Sequence, residues 1–333
     1  MPRDLGPAPE RILQLTGGAQ ATALVGAAVE SGVFTRLEAG PMTADELAKA
    51  LTISPRAASA LLDGLVALEV ITVGDGKYAN SPDASAFLVE GKPSSLTGLA
   101  RVALRGMTDW AKLPQALKTG APVTAQPSDA KDNPFWTILV PAIAPLALPA
   151  AQAVVEQLNV ARRGAVSILD VGGGSGIFSA VLLEANRLAE ATQVDWPAVN
   201  AIARAFVDKL GVGKRFHTVD GDLHTADFGT GHDIAIYSNI AHGESPARNL
   251  AAFRKFRKAL SSTGTLVISD YVAKDDRSGQ RHALLFNSQM LLASKEGASW
   301  RVDDYRKWLA EAGFAQVIFA ETSGPSTVIY ATL

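Results

Sequence analysis

The sequence predicts an α/β protein: a mainly helical winged-helix domain, then a seven-stranded, mostly parallel sheet with crossover helices, closed by an antiparallel C-terminal hairpin. Three observations predict it. Up to about residue 160 the apolar residues recur at helical spacing, interrupted by one pair of short strand-like runs. From "VSILDV" at residue 166 onward, short apolar runs alternate with helical stretches, the pattern of strand, helix, strand units. At the end, "AQVIFAETSGPSTVIYATL" sets two strand-like runs on either side of a Gly-Pro turn.

A chain of 333 residues is long for one domain and predicts at least two. The formal net charge is −2, and Lys and Arg are scattered rather than gathered into a stripe, so neither nucleic acid nor an anionic membrane is expected as a partner. The absence of cysteine excludes disulfides, thiolate metal sites and cysteine nucleophiles, and fits a reducing compartment. The first twenty residues lack a basic segment followed by an apolar core, and no run is read as reaching the ~20 apolar residues of a membrane span. A soluble, cytoplasmic protein is expected.

In chain order, residues 9 to 37 carry Ile12, Leu13, Ala21, Leu24, Val25, Ala28, Val33 and Phe34 at helical spacing and predict one helix. Thr43 stands three residues before Glu46, the spacing of a reciprocal cap that satisfies two orphan backbone donors at a helix start. Ser54 and Pro55 open the next helix, with Leu61, Leu62, Leu65 and Leu68 on one side. "VITVGDGKYANS" then reads as strand, Gly-Asp-Gly turn and strand. Helix, turn, helix, hairpin is a winged helix, yet the second helix offers only Arg56 to phosphates, so a partner-facing role is expected rather than DNA binding. Residues 94 to 160 read as helical, broken at 119 to 134, and "FWTILVPAIAPLALPAAQAVVEQL" as one long apolar helix kinked by its prolines.

The chemistry centres on "VSILDVGGGSGIFSA". A strand ends in Asp170, and Gly172, Gly173, Gly174 and Gly176 lead into a helix. Glycines at such a turn bring bare backbone against a ligand at a positive helix N-terminus. The residues alone leave two ligands open. Gly174-Ser175-Gly176-Ile177-Phe178-Ser179 approaches a dinucleotide fingerprint but has Ser179 at the third small position, and Asp195 follows at ribose distance. An acid ending the strand is an awkward neighbour for an anionic pyrophosphate, whereas it suits S-adenosylmethionine, with its cationic amino group and sulfonium.

"DVGGGSG", "VDWP", "DGDLHTADF", "YSNIAHGES", "GTLVISD" and the closing hairpin together resemble the class I S-adenosylmethionine-dependent methyltransferases. The whole chain is similar to the small-molecule O-methyltransferases of the acetylserotonin, caffeate and hydroxyneurosporene type. The resemblance implies a Rossmann-like seven-stranded sheet and three parts: a winged-helix dimerisation domain over 1–95, a helical connector contributing to the substrate pocket over 96–160, and a cofactor domain over 161–333. It implies S-adenosylmethionine as cofactor, a homodimer and a role in secondary metabolism.

Carried over residue by residue, the resemblance gives Asp170, Gly172, Gly173, Gly174 and Gly176 to the methionine part of the cofactor and Asp195, beside Trp196, to the ribose hydroxyls. Asp222 falls at the adenine amine, Leu223 on the ring face, and Ser238 and Asn239 nearby, with Ser238 where plant members often have Lys. His242 falls at the general base that takes the acceptor's hydroxyl proton, a task that a near-neutral imidazole suits, although the "DW" that commonly follows is missing. Of two acids that flank the base, one matches Asp270, and the second falls at Ser299, which has no carboxylate. Phe135, Trp136, Val140, Ile143, His282, Phe286, Asn287 and Met290 fall at substrate-facing positions that plain core packing explains equally well, and Arg281 with His282 could meet a carboxylate.

No metal is expected, because His217, His224 and His232 form no spaced cluster. S- or C-methylation by proximity alone stays open beside O-methylation, since holding the reactants in line supplies up to ~7–11 kcal/mol while a base adds roughly 10²–10⁴-fold. A DNA-binding ligand sensor and an NAD-dependent oxidoreductase are the rivals from other classes.

Overall fold

The computed structural model describes residues 9–123 and 134–333 and divides into two compact units, Met1–Thr108 and Asp109–Leu333. In the first unit the single helix expected over 9 to 37 is three: α1 (Glu10–Thr16), α2 (Gly18–Ser31) and α3 (Val33–Leu37). Gly32 is the break that the periodicity hid. Its φ of +79° is the left-handed cap that ends α2, and the apolar spacing resumes in phase beyond it. Next come α4 (Ala44–Leu51) and α5 (Pro55–Ala67). The Thr43 hydroxyl accepts from the Glu46 N–H at 3.2 Å while the Glu46 carboxylate accepts from the Thr43 N–H at 2.8 Å. Ser54 caps α5 through the Ala57 N–H.

Strands β1 (Ile71–Gly74) and β2 (Lys77–Asn80) pair antiparallel across Asp75 and Gly76, both at positive φ. Helices α6 (Pro82–Phe87) and α7 (Thr97–Trp110) follow. Ala28, Phe34, Leu47, Leu62, Leu65 and Ile71 are buried as one core.

The second unit opens with α8 (Leu113–Thr119) and α9 (Phe135–Gln157). Pro141, Pro145 and Pro149 all lie inside α9, which is assigned as one helix of 23 residues. The single long helix expected from the sequence is therefore found. By length and composition α9 could cross a membrane, with a mean hydropathy of 2.0, and the expectation that no run reaches such a length is corrected. A core helix of this composition passes the same test. Here Ala147, Ala150, Ala151 and Val154 of α9 are buried in a core with Phe178, Leu182, Ala203 and Val207.

The sheet runs β3 (Val166–Val171), α10 (Ile177–Ala185), β4 (Ala189–Asp195), α11 (Pro197–Lys209), β5 (Phe216–Asp220), β6 (His232–Ser238), α12 (Pro246–Ala259), β7 (Leu260–Asp270), α13 (Arg281–Ala293), α14 (Val302–Glu311), β8 (Gln316–Glu321) and β9 (Thr327–Thr332). The seven strands lie in the order β5-β4-β3-β6-β7-β9-β8. The first five are parallel, and β9 enters antiparallel between β7 and β8. Alternate strand residues feed two cores: Ile168, Ile234, Ile236 and Val267 face α9, α10 and α11, while Leu169, Ala235, Tyr237, Leu266 and Ile268 join Phe253, Phe256, Tyr305 and Trp308 of α12 and α14. The chain builds outward from β3 through β4 to β5, then crosses to β6 on the other side of β3. That reversal leaves a crevice at the carboxyl ends of β3 and β6, where open α/β sheets bind ligands.

Candidate active site

Two groups of residues meet at those strand ends. The first is the glycine turn after β3. A side chain at Gly173 would put its Cβ 2.5 Å from Gln193 Oε1 and 2.7 Å from Asp170 Cγ, so this turn tolerates backbone only. The Gly174 N–H donates to Asp195 Oδ2 at 2.9 Å, and Val140 of α9 lies 3.6 Å from where a Gly174 Cβ would stand. The turn, the acid ending β4 and one expected acceptor-facing residue are thus contiguous. Gly176 caps α10 in the left-handed region.

Asp170 is fully buried. Ser179 Oγ donates to its Oδ2 at 2.7 Å, and its Oδ1 has no hydrogen-bond partner among the described residues. Burial, opposed by the Ser179 bond and reinforced by the nearby charge of Asp195, pushes its carboxyl up to about 7. Burial likewise pushes Asp195 up to about 6, against the N–H groups of Gly174 and Trp196, the latter donating to Oδ1 at 2.7 Å. Two raised carboxyls at one strand edge, one with an orphaned oxygen, fit a ligand that brings positive charge and hydrogen-bond donors. An anionic pyrophosphate would add repulsion to the same place. The residues present therefore fit S-adenosylmethionine better than a dinucleotide.

Beneath this edge lies a pair of buried amides that the sequence reading missed. Gln193 Nε2 donates to the Gly174 carbonyl at 3.2 Å and to Asn200 Oδ1 at 3.1 Å; Asn200 Nδ2 donates to the Asp195 carbonyl, the Val219 carbonyl and Asp220 Oδ1. The network locks the ends of β3, β4 and β5 together. A polar residue in the middle of the run "ATQVD" was its only signal.

Asp222 uses Oδ1 to accept the His224 N–H at 2.8 Å, closing the turn after β5, and Leu223 is half-buried against the second core. Asn239 follows β6 at a φ of +55°, its N–H given to the Ser269 carbonyl and its Oδ1 buried without a described partner, while its amide reaches Ser238 Oγ at 3.5 Å.

The second group surrounds His242, which sits on the short turn Ala241–Gly243 after β6. Its Nδ1 lies 2.7 Å from Asp270 Oδ1, and its own N–H donates to Asp270 Oδ2 at 3.0 Å. Asp270 ends β7 and is 1 % exposed. A carboxylate accepts, so Nδ1 carries a proton, and in the neutral ring Nε2 keeps its lone pair. The Ala298 N–H donates to the His242 carbonyl, and Trp300 Nε1 donates to the Ala241 carbonyl, so the turn is pinned from the segment after α13.

Phe286 of α13 meets the imidazole edge-on at 4.9 Å, and Tyr271 stacks at 5.9 Å. His282 packs on Tyr271 at 4.5 Å, and Met290 is buried one turn beyond Phe286. His282, Phe286 and Met290 therefore share the face of α13 nearest the base. Asn287 points elsewhere: its Oδ1 accepts the Ser299 N–H at 3.0 Å. Ser299 is buried with its hydroxyl unpartnered, and Asp270 is the only carboxylate paired with His242 among the described residues. At the start of α9, Phe135 and Trp136 pack on each other at 5.9 Å, and Ile143 is half-buried. The remaining histidines are dispersed: His224 lies 3.3 Å from Glu244, His217 lies 3.7 Å from Glu190, and His232 bridges Ser167 and the Phe228 carbonyl.

Two family models match the chain, an O-methyltransferase domain over residues 147–315 and an O-methyltransferase dimerisation domain over residues 13–90. The chain is 30% identical to 3-hydroxy-5-methyl-1-naphthoate 3-O-methyltransferase of Streptomyces sahachiroi, over 95% of this chain and 92% of that one. It is also 30% identical to tetracenomycin polyketide synthesis 8-O-methyl transferase of Streptomyces glaucescens, over 96% and 95%. Among solved structures, human N-acetylserotonin methyltransferase in complex with its cofactor superposes with a TM-score of 0.86, covering 100% of this chain and 99% of that one at 20% identity.

Proposed function

This chain belongs to the O-methyltransferase family, and we propose that it methylates a hydroxyl of a fused-ring aromatic small molecule of secondary metabolism, with His242 as general base. S-adenosylmethionine is the methyl donor and, when bound, supplies an electrophilic methyl group on a sulfonium. Asp195 takes the ribose diol on its two oxygens, Asp170 receives the cationic end beside Gly172, Gly173, Gly174 and Gly176, and Asp222, Leu223, Trp196, Ser238 and Asn239 hold the adenosine side. His242 Nε2 accepts the hydroxyl proton as the oxygen turns nucleophile, and Asp270 steadies the imidazolium that forms. Phe286, Tyr271, Met290 and Val140 bound the acceptor, and His282, Phe135, Trp136 and Ile143 complete its surroundings. The chain works in the cytoplasm as a homodimer through its N-terminal winged-helix region.

One observation carries the base reading: the 2.7 Å contact of His242 Nδ1 with a buried carboxylate, which fixes the tautomer and leaves Nε2 as acceptor. The acceptor class rests on the two Streptomyces relatives, named for a hydroxynaphthoate and for a polyketide pathway. The test is transfer of labelled methyl from S-adenosylmethionine to hydroxynaphthoates and hydroxylated polyketide aromatics. Labelling of these phenols supports the reading; labelling confined to amines, thiols or ring carbons refutes it.

A further inference from the structure

The Asp270 carboxylate is buried and receives four donors. Oδ1 accepts from His242 Nδ1 at 2.7 Å and from the Tyr271 N–H at 2.7 Å; Oδ2 accepts from the His242 N–H at 3.0 Å and from the Tyr305 hydroxyl at 3.4 Å. Two of the four are backbone groups and the third is the base itself. Tyr305 is therefore the one donor, apart from His242, that a side-chain substitution can remove. It stands on α14, 1 % exposed, with its ring held between Phe253 at 6.4 Å and Trp308 at 5.8 Å, so the hydroxyl has little freedom to turn elsewhere. Helix α14 is itself fixed at its start by the Arg301 N–H on Asp304 Oδ2 and by the Val302 N–H on the Ala273 carbonyl, three residues past Asp270.

We propose that Tyr305 is a positioning residue for methyl transfer: its hydroxyl drains charge from Asp270 and so limits how tightly Asp270 holds the proton on His242. The proposal rests on the reading of His242 as the base. A carboxylate that accepts several hydrogen bonds is a weaker base and a weaker partner for a cation than one that accepts few. Without Tyr305, the Oδ2 lone pair would face apolar ring edges, and the His242–Asp270 pair would take up a proton more readily, whichever of the two carries it. A base that holds its proton too firmly cannot take one from the acceptor. The other ionisable groups around this pair are Glu244 beyond the turn, Tyr237 on β6, Tyr271 just past β7, His282 on α13 and Asp304 on α14. Glu244 adds to the rise of the Tyr237 hydroxyl, and Asp304 to that of Tyr305, after burial in both cases.

The experiment is an NMR titration of the imidazole signals in the full chain loaded with S-adenosylhomocysteine, in wild type and Tyr305→Phe. The chain has five histidines, and His242→Asn identifies the signal of interest by its loss. The expected result is a His242 titration moved up by about half a unit to one unit in Tyr305→Phe, with the His232 and His217 signals and the affinity for S-adenosylhomocysteine unchanged. A His242 curve that overlays wild type in a variant that still binds S-adenosylhomocysteine overturns the proposal and leaves Tyr305 as core packing. Should Tyr305→Phe not fold, 3-fluorotyrosine at 305 serves instead. Its more acidic hydroxyl donates more strongly and should move the His242 curve down, and no movement overturns the proposal equally. The base reading fails separately, if His242→Ala transfers methyl at the wild-type rate.

Discussion

At the strand edge, Asp170 and Asp195 combine burial with the proposed neighbourhood of a cationic cofactor. Both carboxyls are raised in the folded, cofactor-free chain, to about 7 and about 6. A raised carboxyl binds protons in the folded state that the unfolded chain has already lost. Stability without cofactor therefore falls as pH rises from about 4 through 7. The cofactor's positive charge favours the ionised carboxylates, so its affinity moves the opposite way. Calorimetry should find binding of S-adenosylmethionine strengthening about tenfold between pH 5.5 and 7.5, with the step near pH 6 missing in Asp195→Asn. A flat profile would mean that both acids stay ionised without the ligand. Gly173→Ala should weaken S-adenosylhomocysteine binding at least tenfold and cost ~1–3 kcal/mol of stability, because the added carbon overlaps Gln193 and Asp170; a thermal melt and a titration check both.

The residues legible in the sequence, Asp170, Asp195, His242 and Asp270, all stand at or just past a strand end, where a motif read along the chain is enough. Gln193, Asn200 and Tyr305 were not legible. Their partners lie 5 to 35 positions away, and most are brought together only by the strand order.

Among the elements, helices were clearest where capping chemistry marks them, as at Thr43 and Ser54, and least clear where small apolar residues carry the period through a break. Gly32 ends α2 without disturbing the apolar spacing, so one helix was read where there are three. In α9 the long apolar run outweighs three internal prolines, and the single helix expected there is the one found over Phe135–Gln157. Small residues inside helices also mark close packing that periodicity does not reveal. A Cβ at Gly26 would stand 2.7 Å from Leu104 Cβ, where α7 crosses α2. Gly26→Ala should therefore destabilise the first unit by ~1–3 kcal/mol, outweighing the ~1 kcal/mol that alanine gains in an open helix, and the midpoint of a thermal melt decides. A more stable variant would show that the two helices separate readily at that point.

For the molecule as a whole, the strand order was inferable as a class because alternating strands and helices force right-handed crossovers and hence a parallel sheet. The antiparallel pairing of β8 with β9 follows from the short turn at residues 322 to 326, too short for a crossover, whereas the place of β9 between β7 and β8 has no signal in that turn. What that topology achieves is to bring the ends of β3, β4, β6 and β7 to one edge, Asp170 and Asp195 on one side and the His242–Asp270 pair on the other. The most direct measurement is the rate of methyl transfer from S-adenosylmethionine to a hydroxynaphthoate by wild type and His242→Ala between pH 5 and 9. A loss of roughly 10²–10⁴-fold together with loss of the acid-side limb is predicted. Equal rates with the same pH profile would contradict the assignment of His242 as the base.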